Sequence, residues 1–145
     1  MIKIICLGKI KEDYLNKMIE DYKKRISKYH KLEIIELKDT NNLEEEKDSI
    51  LKHINNQDYV IALDIDGENI DSISLSKKID NIFLTNGTID FIIGSSYGLH
   101  EEVKNRANYR LSFSKMTFPH GLFRAILLEQ IYRSFKIQNN ESYHK

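Results

Sequence analysis

Ile89-Asp90-Phe91-Ile92-Ile93-Gly94-Ser95-Ser96-Tyr97-Gly98-Leu99 is the stretch on which the fold turns. A short apolar run rich in β-branched residues favours extended backbone, and it is too short for a helix of ordinary length. Gly94 stops it and Gly98 follows, so a strand ends in a loop where backbone can turn sharply or approach a ligand closely.

Strand and helix signals alternate on both sides of this stretch. Ile2 to Leu7 reads as a buried strand, and Leu32 to Leu37 as the next. Between them Leu15, Met18, Ile19, Tyr22, Ile26 and Tyr29 recur at three- and four-residue spacing, the mark of an amphipathic helix. Asn42 with Glu45 resembles a helix start, followed by a stripe of Leu43, Ile50, Leu51 and Ile54. Tyr59 to Leu63 is an apolar strand that the Asp64-Ile65-Asp66-Gly67 sequence is expected to end in a turn. Ser72 is placed to cap a helix carrying Leu75, Ile79, Ile82 and Phe83, which Asn86-Gly87 closes. A short helix over 101–107, a short strand over 109–113 and a final helix from His120 or Gly121 to about Ile137 complete the chain. The alternation predicts a single α/β domain over 1–145, with a largely parallel sheet and helices on both faces.

The final helix departs from the one-stripe pattern. Leu122, Phe123, Ala125, Ile126, Leu127, Leu128, Ile131, Tyr132, Phe135 and Ile137 surround most of its circumference. A helix apolar on nearly every side must be covered on more than one. A second copy of the chain is the expected cover, and twofold symmetry the commonest form; a central position within one chain is the alternative.

With 145 residues the chain is long enough for a core, and its 22 basic and 22 acidic side chains cancel. A general-purpose RNA binder is usually basic overall. The charges are unevenly spread, basic at both ends and acidic in the middle, which a solvated helix surface also explains. No run is long enough to cross a bilayer, and the start lacks a signal peptide's layout, so a cytoplasmic location is expected. A single cysteine, Cys6, precludes a disulfide or a Cys-based zinc site within one chain. The five histidines show no close metal spacing, and no metal is expected.

In open α/β sheets ligands bind beyond the carboxyl ends of strands. Here those ends are Leu63 into Asp64–Gly67, Ile93 into Gly94–Gly98, and Phe113 into Ser114-Lys115-Met116-Thr117-Phe118-Pro119. The glycines fit neither a dinucleotide fingerprint nor a P-loop. Asp64-x-Asp66 after an apolar strand is similar to the nucleophile motif of haloacid-dehalogenase-type phosphatases, but Glu68 stands where Thr is expected. His120 suits a structural or an acid–base role, and Glu129 with Arg133 has intrahelical spacing. His144 titrates near neutrality by type but lies in a terminal segment, where disorder is the rule.

With these segments in place, the chain resembles the SPOUT-class methyltransferases that modify N3 of a pseudouridine in bacterial large-subunit ribosomal RNA. The resemblance runs along essentially the whole length. It begins with Gly8-Lys9, Tyr14, Tyr22 and Lys24-Arg25-Ile26, and continues with Leu63-Asp64 and Gly67. It is strongest through Ile93-Gly94, Gly98-Leu99, Leu111-Ser112, Thr117-x-Pro119-His120, Arg124, Glu129-Gln130-Ile131-Tyr132-Arg133 and Tyr143-His144-Lys145. Two departures stand out: Ser95 where relatives commonly carry a second glycine, a side chain that would narrow a pocket there, and Gly121 after His120.

The resemblance implies a SPOUT fold with a C-terminal trefoil knot, a homodimer, and S-adenosylmethionine as methyl donor. It implies cofactor binding by Leu63, Gly94, Phe113, Ser114, Lys115, Met116, Thr117 and Phe118, the strand ends already singled out. Its substrate would be 23S ribosomal RNA presented by the assembled ribosome, met by Tyr143, His144 and Lys145 in a tail expected to order on substrate binding. Residue chemistry adds His144 as a candidate base and Arg133, with Lys145, as candidates for steadying negative charge. The competing expectations are a magnesium-dependent phosphatase using Asp64 and Asp66, and a catalytically silent RNA- or ribosome-binding dimer.

Overall fold

The computed structural model describes residues 1–145. In chain order the elements are β1 (Ile2–Leu7), α1 (Asp13–Ile26), β2 (Leu32–Leu37), α2 (Leu43–Lys52) and β3 (Tyr59–Asn69). They continue with α3 (Ser72–Phe83), β4 (Ile89–Ile93), α4 (Glu101–Arg106), β5 (Tyr109–Ser112) and α5 (His120–Gln138). Five strands form one sheet in the order β2-β1-β4-β3-β5, every pair parallel. All carboxyl ends therefore lie along one edge, and the loops after β3, β4 and β5 are neighbours there.

Alternation along the strands divides the core between the two faces. Ile2, Ile4, Phe91 and Ile61 point to one side, where they pack with α1, α3 and α5. Ile5, Leu7, Val60, Ala62 and Ile92 point to the other, against Ile50 of α2 and Val103 of α4. The central position of α5 explains its all-round apolar character. It is packed between α1 and α3 of its own chain, which bury Leu127, Leu128, Ile131 and Phe135. Intrachain cover thus accounts for most of the apolar surface for which a second copy was expected. Leu122 remains exposed at the start, with Phe123, Ile126 and Ile137 half-buried.

Two local expectations are corrected. Asp64–Gly67 does not end β3; the strand runs on to Asn69 through a bulge. Leu63 and Glu68 both register with Leu111 of β5, so the intervening residues bow out and return to the same partner strand. Gly67 is required there because a Cβ would come 2.7 Å from the Arg110 carbonyl. The cap of α3 is Asp71, whose carboxylate accepts from the Ser74 amide at 2.7 Å, while the Ser72 hydroxyl donates to Gln130 on α5.

The amino edge of the sheet carries a charged cluster within the core. Lys3 Nζ lies 2.9 Å from Asp58 and 3.5 Å from Asp90, and donates to the His53 carbonyl at 2.6 Å. Asp90 is fully buried, and burial first, then its neighbour Asp58, pushes its carboxyl up to about 8. Neither Asp90 oxygen has a hydrogen-bond partner.

Candidate active site

The three neighbouring loops enclose a cleft at the carboxyl edge. Its inner part, about 160 Å³, is lined by Leu63, Ile93, Gly94, Leu111, Phe113, Ser114, Met116, Thr117, Phe118, His120 and Phe123 among others. A wider outer part of about 610 Å³ shares Leu63, Asp64, Ser95, Gly98, Thr117, Phe118 and His120 with it. Taken together the two have the size and mixed lining of a small-molecule site. Of the cofactor residues named from the sequence, Leu63, Gly94, Phe113, Ser114, Met116, Thr117 and Phe118 line the inner part. Lys115 is exposed on the same loop and does not line it.

Each loop is held locally. The Gly94–Gly98 loop closes on itself through the Gly98 amide and the Ser95 carbonyl at 2.9 Å, with Gly98 at φ +80°. Gly94 lies so close to the other arm that a Cβ would come 2.5 Å from the Gly98 carbonyl oxygen. The 113–119 loop is braced at its root by Ser112 Oγ donating to the Ser114 carbonyl, and by the Met116 amide donating to Ser114 Oγ. The rings of Phe113 and Phe118 both pack on Phe123 of α5.

Ser95 lines both parts of the cleft, but its hydroxyl is turned away to α2. Its hydroxyl donates at 2.8 Å to Glu46, a buried carboxylate on α2. Burial raises the Glu46 carboxyl above its usual range, against the Ser95 hydrogen bond, and its other oxygen has no partner. Asp64 is also committed. Buried at the root of its bulge, it faces Arg110 at 3.5 Å and Lys104 at 3.8 Å and accepts from the Asp66 amide. The carboxylate that a phosphatase would use as nucleophile is therefore engaged by two cations of its own chain.

The tail is packed in the chain by itself, whereas ordering on substrate binding was expected. Tyr143 stacks edge-on against Tyr132 and donates to Glu129 Oε2 at 3.0 Å. Burial pushes the Tyr143 hydroxyl up, and its interactions with Tyr22 and Glu129 act in the same direction. Arg133 forms a two-nitrogen pair with Glu129, sits over the Tyr143 ring and approaches His144 Nδ1 at 3.1 Å. Of these residues His144 lines a second cavity, together with Ile70, Ser72, Ile126 and Gln130. Leu111 and Phe113 line both cavities, so the tail site and the cleft lie back to back. Lys145 is exposed beyond them.

The sequence also leaves Ile93, Leu111, Ser112 and Phe123 unassigned as lining residues. The pairing of β3 with β4 and β5, and the packing of α5 on the 113–119 loop, bring them together.

Comparison with known proteins bears on the family and the fold. The family described as "Predicted SPOUT methyltransferase" matches residues 1–144. The ribosomal RNA large subunit methyltransferase H of Clostridium botulinum (strain 657 / Type Ba4) is 54% identical, over 99% of both chains. Among solved structures, a probable methylase family protein from Haemophilus influenzae Rd KW20 superposes with a TM-score of 0.58 at 13% identity, covering 99% of this chain and 70% of that one. The tRNA (m1G37) methyltransferase from Aquifex aeolicus does so at 0.53 and 15% identity, covering 91% and 69%. At such identities these structures speak for the fold alone.

Proposed function

We infer the activity from one premise: the chain belongs to the SPOUT methyltransferase family. It is a ribosomal RNA methyltransferase that uses S-adenosylmethionine, its target N3 of a pseudouridine in 23S RNA on the assembled ribosome. The observation that carries this reading is the full-length similarity to a named ribosomal RNA methyltransferase, joined to a cleft lined by seven of the eight residues assigned to the cofactor.

The residues fit the group. Leu63, Ile93, Phe113 and Phe118 offer apolar cover for an adenine ring, and the backbone of the Gly94–Gly98 and 113–119 loops offers donors and acceptors for its edge and ribose. Bound S-adenosylmethionine supplies a methyl made electrophilic by its sulfonium. The protein's task is to align the attacking nitrogen and to favour loss of its proton.

His144 and Arg133 are the residues assigned to that second task. In this arrangement Arg133 donates to His144 Nδ1, so the neutral ring carries its proton on Nε2 and presents a donor. His144 and Arg133 then steady negative charge growing on the base, and His144 becomes a proton acceptor only when it leaves Arg133. Tyr143 and Lys145 flank the same substrate position.

A homodimer belongs to this reading. Ile65, Ile73, Met116 and Phe118 are exposed around the mouths of the two cavities, and Leu122 is exposed at the start of α5, an apolar surface of the kind that partners cover. The trefoil knot implied by the resemblance and a cytoplasmic location belong to it too; no helix is long and apolar enough to cross a membrane.

Isothermal titration with S-adenosylmethionine, magnesium absent, tests the premise of the site. Saturable heat that a cavity-filling Ser114→Trp variant abolishes is the expected result. Labelled methyl transfer to ribosomal subunits, followed by digestion and identification of the modified nucleoside, tests the substrate. No heat with the native chain sinks the reading, and heat without transfer favours a silent ribosome binder.

A further inference from the structure

The β1–α1 loop holds a motif, Gly8-Lys9, that the chemistry above does not use. It forms one wall of a separate cavity whose other wall is the start of α5. The geometry points to a phosphodiester-binding subsite here, formed by Lys9, Lys11, His120 and Arg124, that holds a backbone phosphate of the RNA beside the methyl-donor cleft. The inference rests on the reading of the chain as an RNA methyltransferase and names where the strand is gripped.

Two of the cavity's positive charges, Lys9 and Lys11, have no ion-pair partner in the chain. The lysines in ion pairs are Lys3, Lys47, Lys104 and Lys136; Lys9 and Lys11 are not among them, and both are exposed. The acidic residue on its rim is Glu12, which is exposed.

The start of α5 adds fixed donors. Its cap position is Pro119, which makes no side-chain cap, and the first helical bond is donated by Phe123. The amides of His120, Gly121 and Leu122 therefore have no helical partner, at the end of a 19-residue helix where an anion is favoured.

Arg124 supplies an independent sign of a missing acceptor. It is 3% exposed yet lines the cavity, with Nη1 on Glu36 and Nη2 on the Gly8 carbonyl. Its Nε is buried with no partner at all, a rare and costly state for a guanidinium nitrogen. A ligand oxygen reaching it from the cavity would relieve it, as an ordered water would.

Contiguity decides what the anion belongs to. His120 lines the inner cleft, the outer cleft and this cavity, so a ligand here is a neighbour of the reacting centre. The chain's zero net charge argues against capture of polyanions over its whole surface and for a local grip. A carboxylate of the methyl donor is the other anion within reach, and the test separates the two.

Fluorescence anisotropy of labelled oligouridylate at low salt, repeated across a salt series, reads the subsite. Lys9→Ala/Lys11→Ala is expected to weaken binding about tenfold and to flatten the dependence of log K on log salt by about 0.7 for each phosphate no longer neutralised. Lys9→Arg/Lys11→Arg should restore both, and Lys23→Ala/Lys24→Ala on α1 should change neither. Affinity for S-adenosylmethionine, measured by titration calorimetry, should not move. The assignment is overturned if the native chain does not bind the RNA, if the first variant matches it, or if the α1 control weakens binding equally. A fall in S-adenosylmethionine affinity with RNA binding intact also overturns it, giving the anion to the donor. A native chain that shows the slope difference but transfers no methyl to ribosomal subunits keeps the subsite and loses the activity.

Discussion

The two edges of one sheet are built on opposite terms. At the amino edge, Lys3, Asp58 and Asp90 are sealed in the core, their charges satisfied by one another. At the carboxyl edge, loops held by close backbone approaches leave Met116, Phe118 and Tyr97 facing outward around a cleft. Closed ionic packing fixes the strands at one end, and an open, backbone-shaped cavity is left free for a ligand at the other. Stability and binding are thereby assigned to different ends of the same strands, and mutations should separate them.

Lys3→Met should break the amino edge most severely. It leaves the buried Asp58 carboxylate without its cation beside buried Asp90, and the expected loss is about 3–5 kcal/mol in urea unfolding, with cofactor affinity unchanged in whatever remains folded. Gly94→Ala should do the converse. The added Cβ forces the Gly94–Gly98 loop apart at Gly98, so cofactor affinity should fall at least about tenfold in calorimetry, while the cooperative unfolding transition survives.

Asp90→Asn sharpens the contrast through pH. The Asp90 carboxyl stands at about 8 in the fold against 3.8 for an unperturbed aspartate, so the folded state binds that proton more tightly. Its contribution to stability is complete below the lower value and is lost as pH rises through the upper one. Asp58 is displaced the other way: burial pushes it up, but hydrogen bonds from Asp90 and Lys3 hold it below its usual range, so its effect lies in acid. Urea midpoints should therefore fall for the native chain relative to Asp90→Asn between about pH 5 and about pH 8.5. Parallel curves would mean that Asp90 is not protonated in the fold.

The smallest effect is expected from Ser95→Gly. It removes the one hydroxyl donor of buried Glu46, costing about 1–3 kcal/mol. Cofactor affinity should stay within about threefold, because the hydroxyl is directed to α2; a larger gain in calorimetry would mean that Ser95 does obstruct the cleft.

The same contrast marks what the sequence could disclose. β1, β2 and β4 have the bounds that their apolar runs predict, and Asn42 caps α2 by accepting from the Glu44 and Glu45 amides. Apolar periodicity and cap chemistry are local, and local signals survive in a string of letters. The bulge at Asp64–Gly67 was hidden because Asp and Gly also make turns, and only pairing with β5 decides between the two. Tail packing was hidden for a similar reason, since Tyr143 has no periodic partner and finds Tyr132 only across the last turn. Most residues of the cleft were legible as strand ends, a place fixed by topology rather than by chemistry. Lys3 and Asp90 did leave a signal, each a lone charge among isoleucines and phenylalanine in a strand buried on both sides. So did Glu46, one helical turn before Ile50 on the buried side of α2.

The strand order has a consequence for how the molecule comes into being. β1 lies between β2 and β4, its inner neighbour is the central strand β4, and the N-terminal amine of Met1 donates to the Gly87 carbonyl. The first strand synthesised must therefore wait for more than half the chain before it gains its inner neighbour, and β5 and α5 join later still. A topology of such distant pairings folds slowly and late. During synthesis the cleft has no walls until its last loop and helix emerge, so a truncated nascent chain has a partial sheet but nowhere to hold a methyl donor.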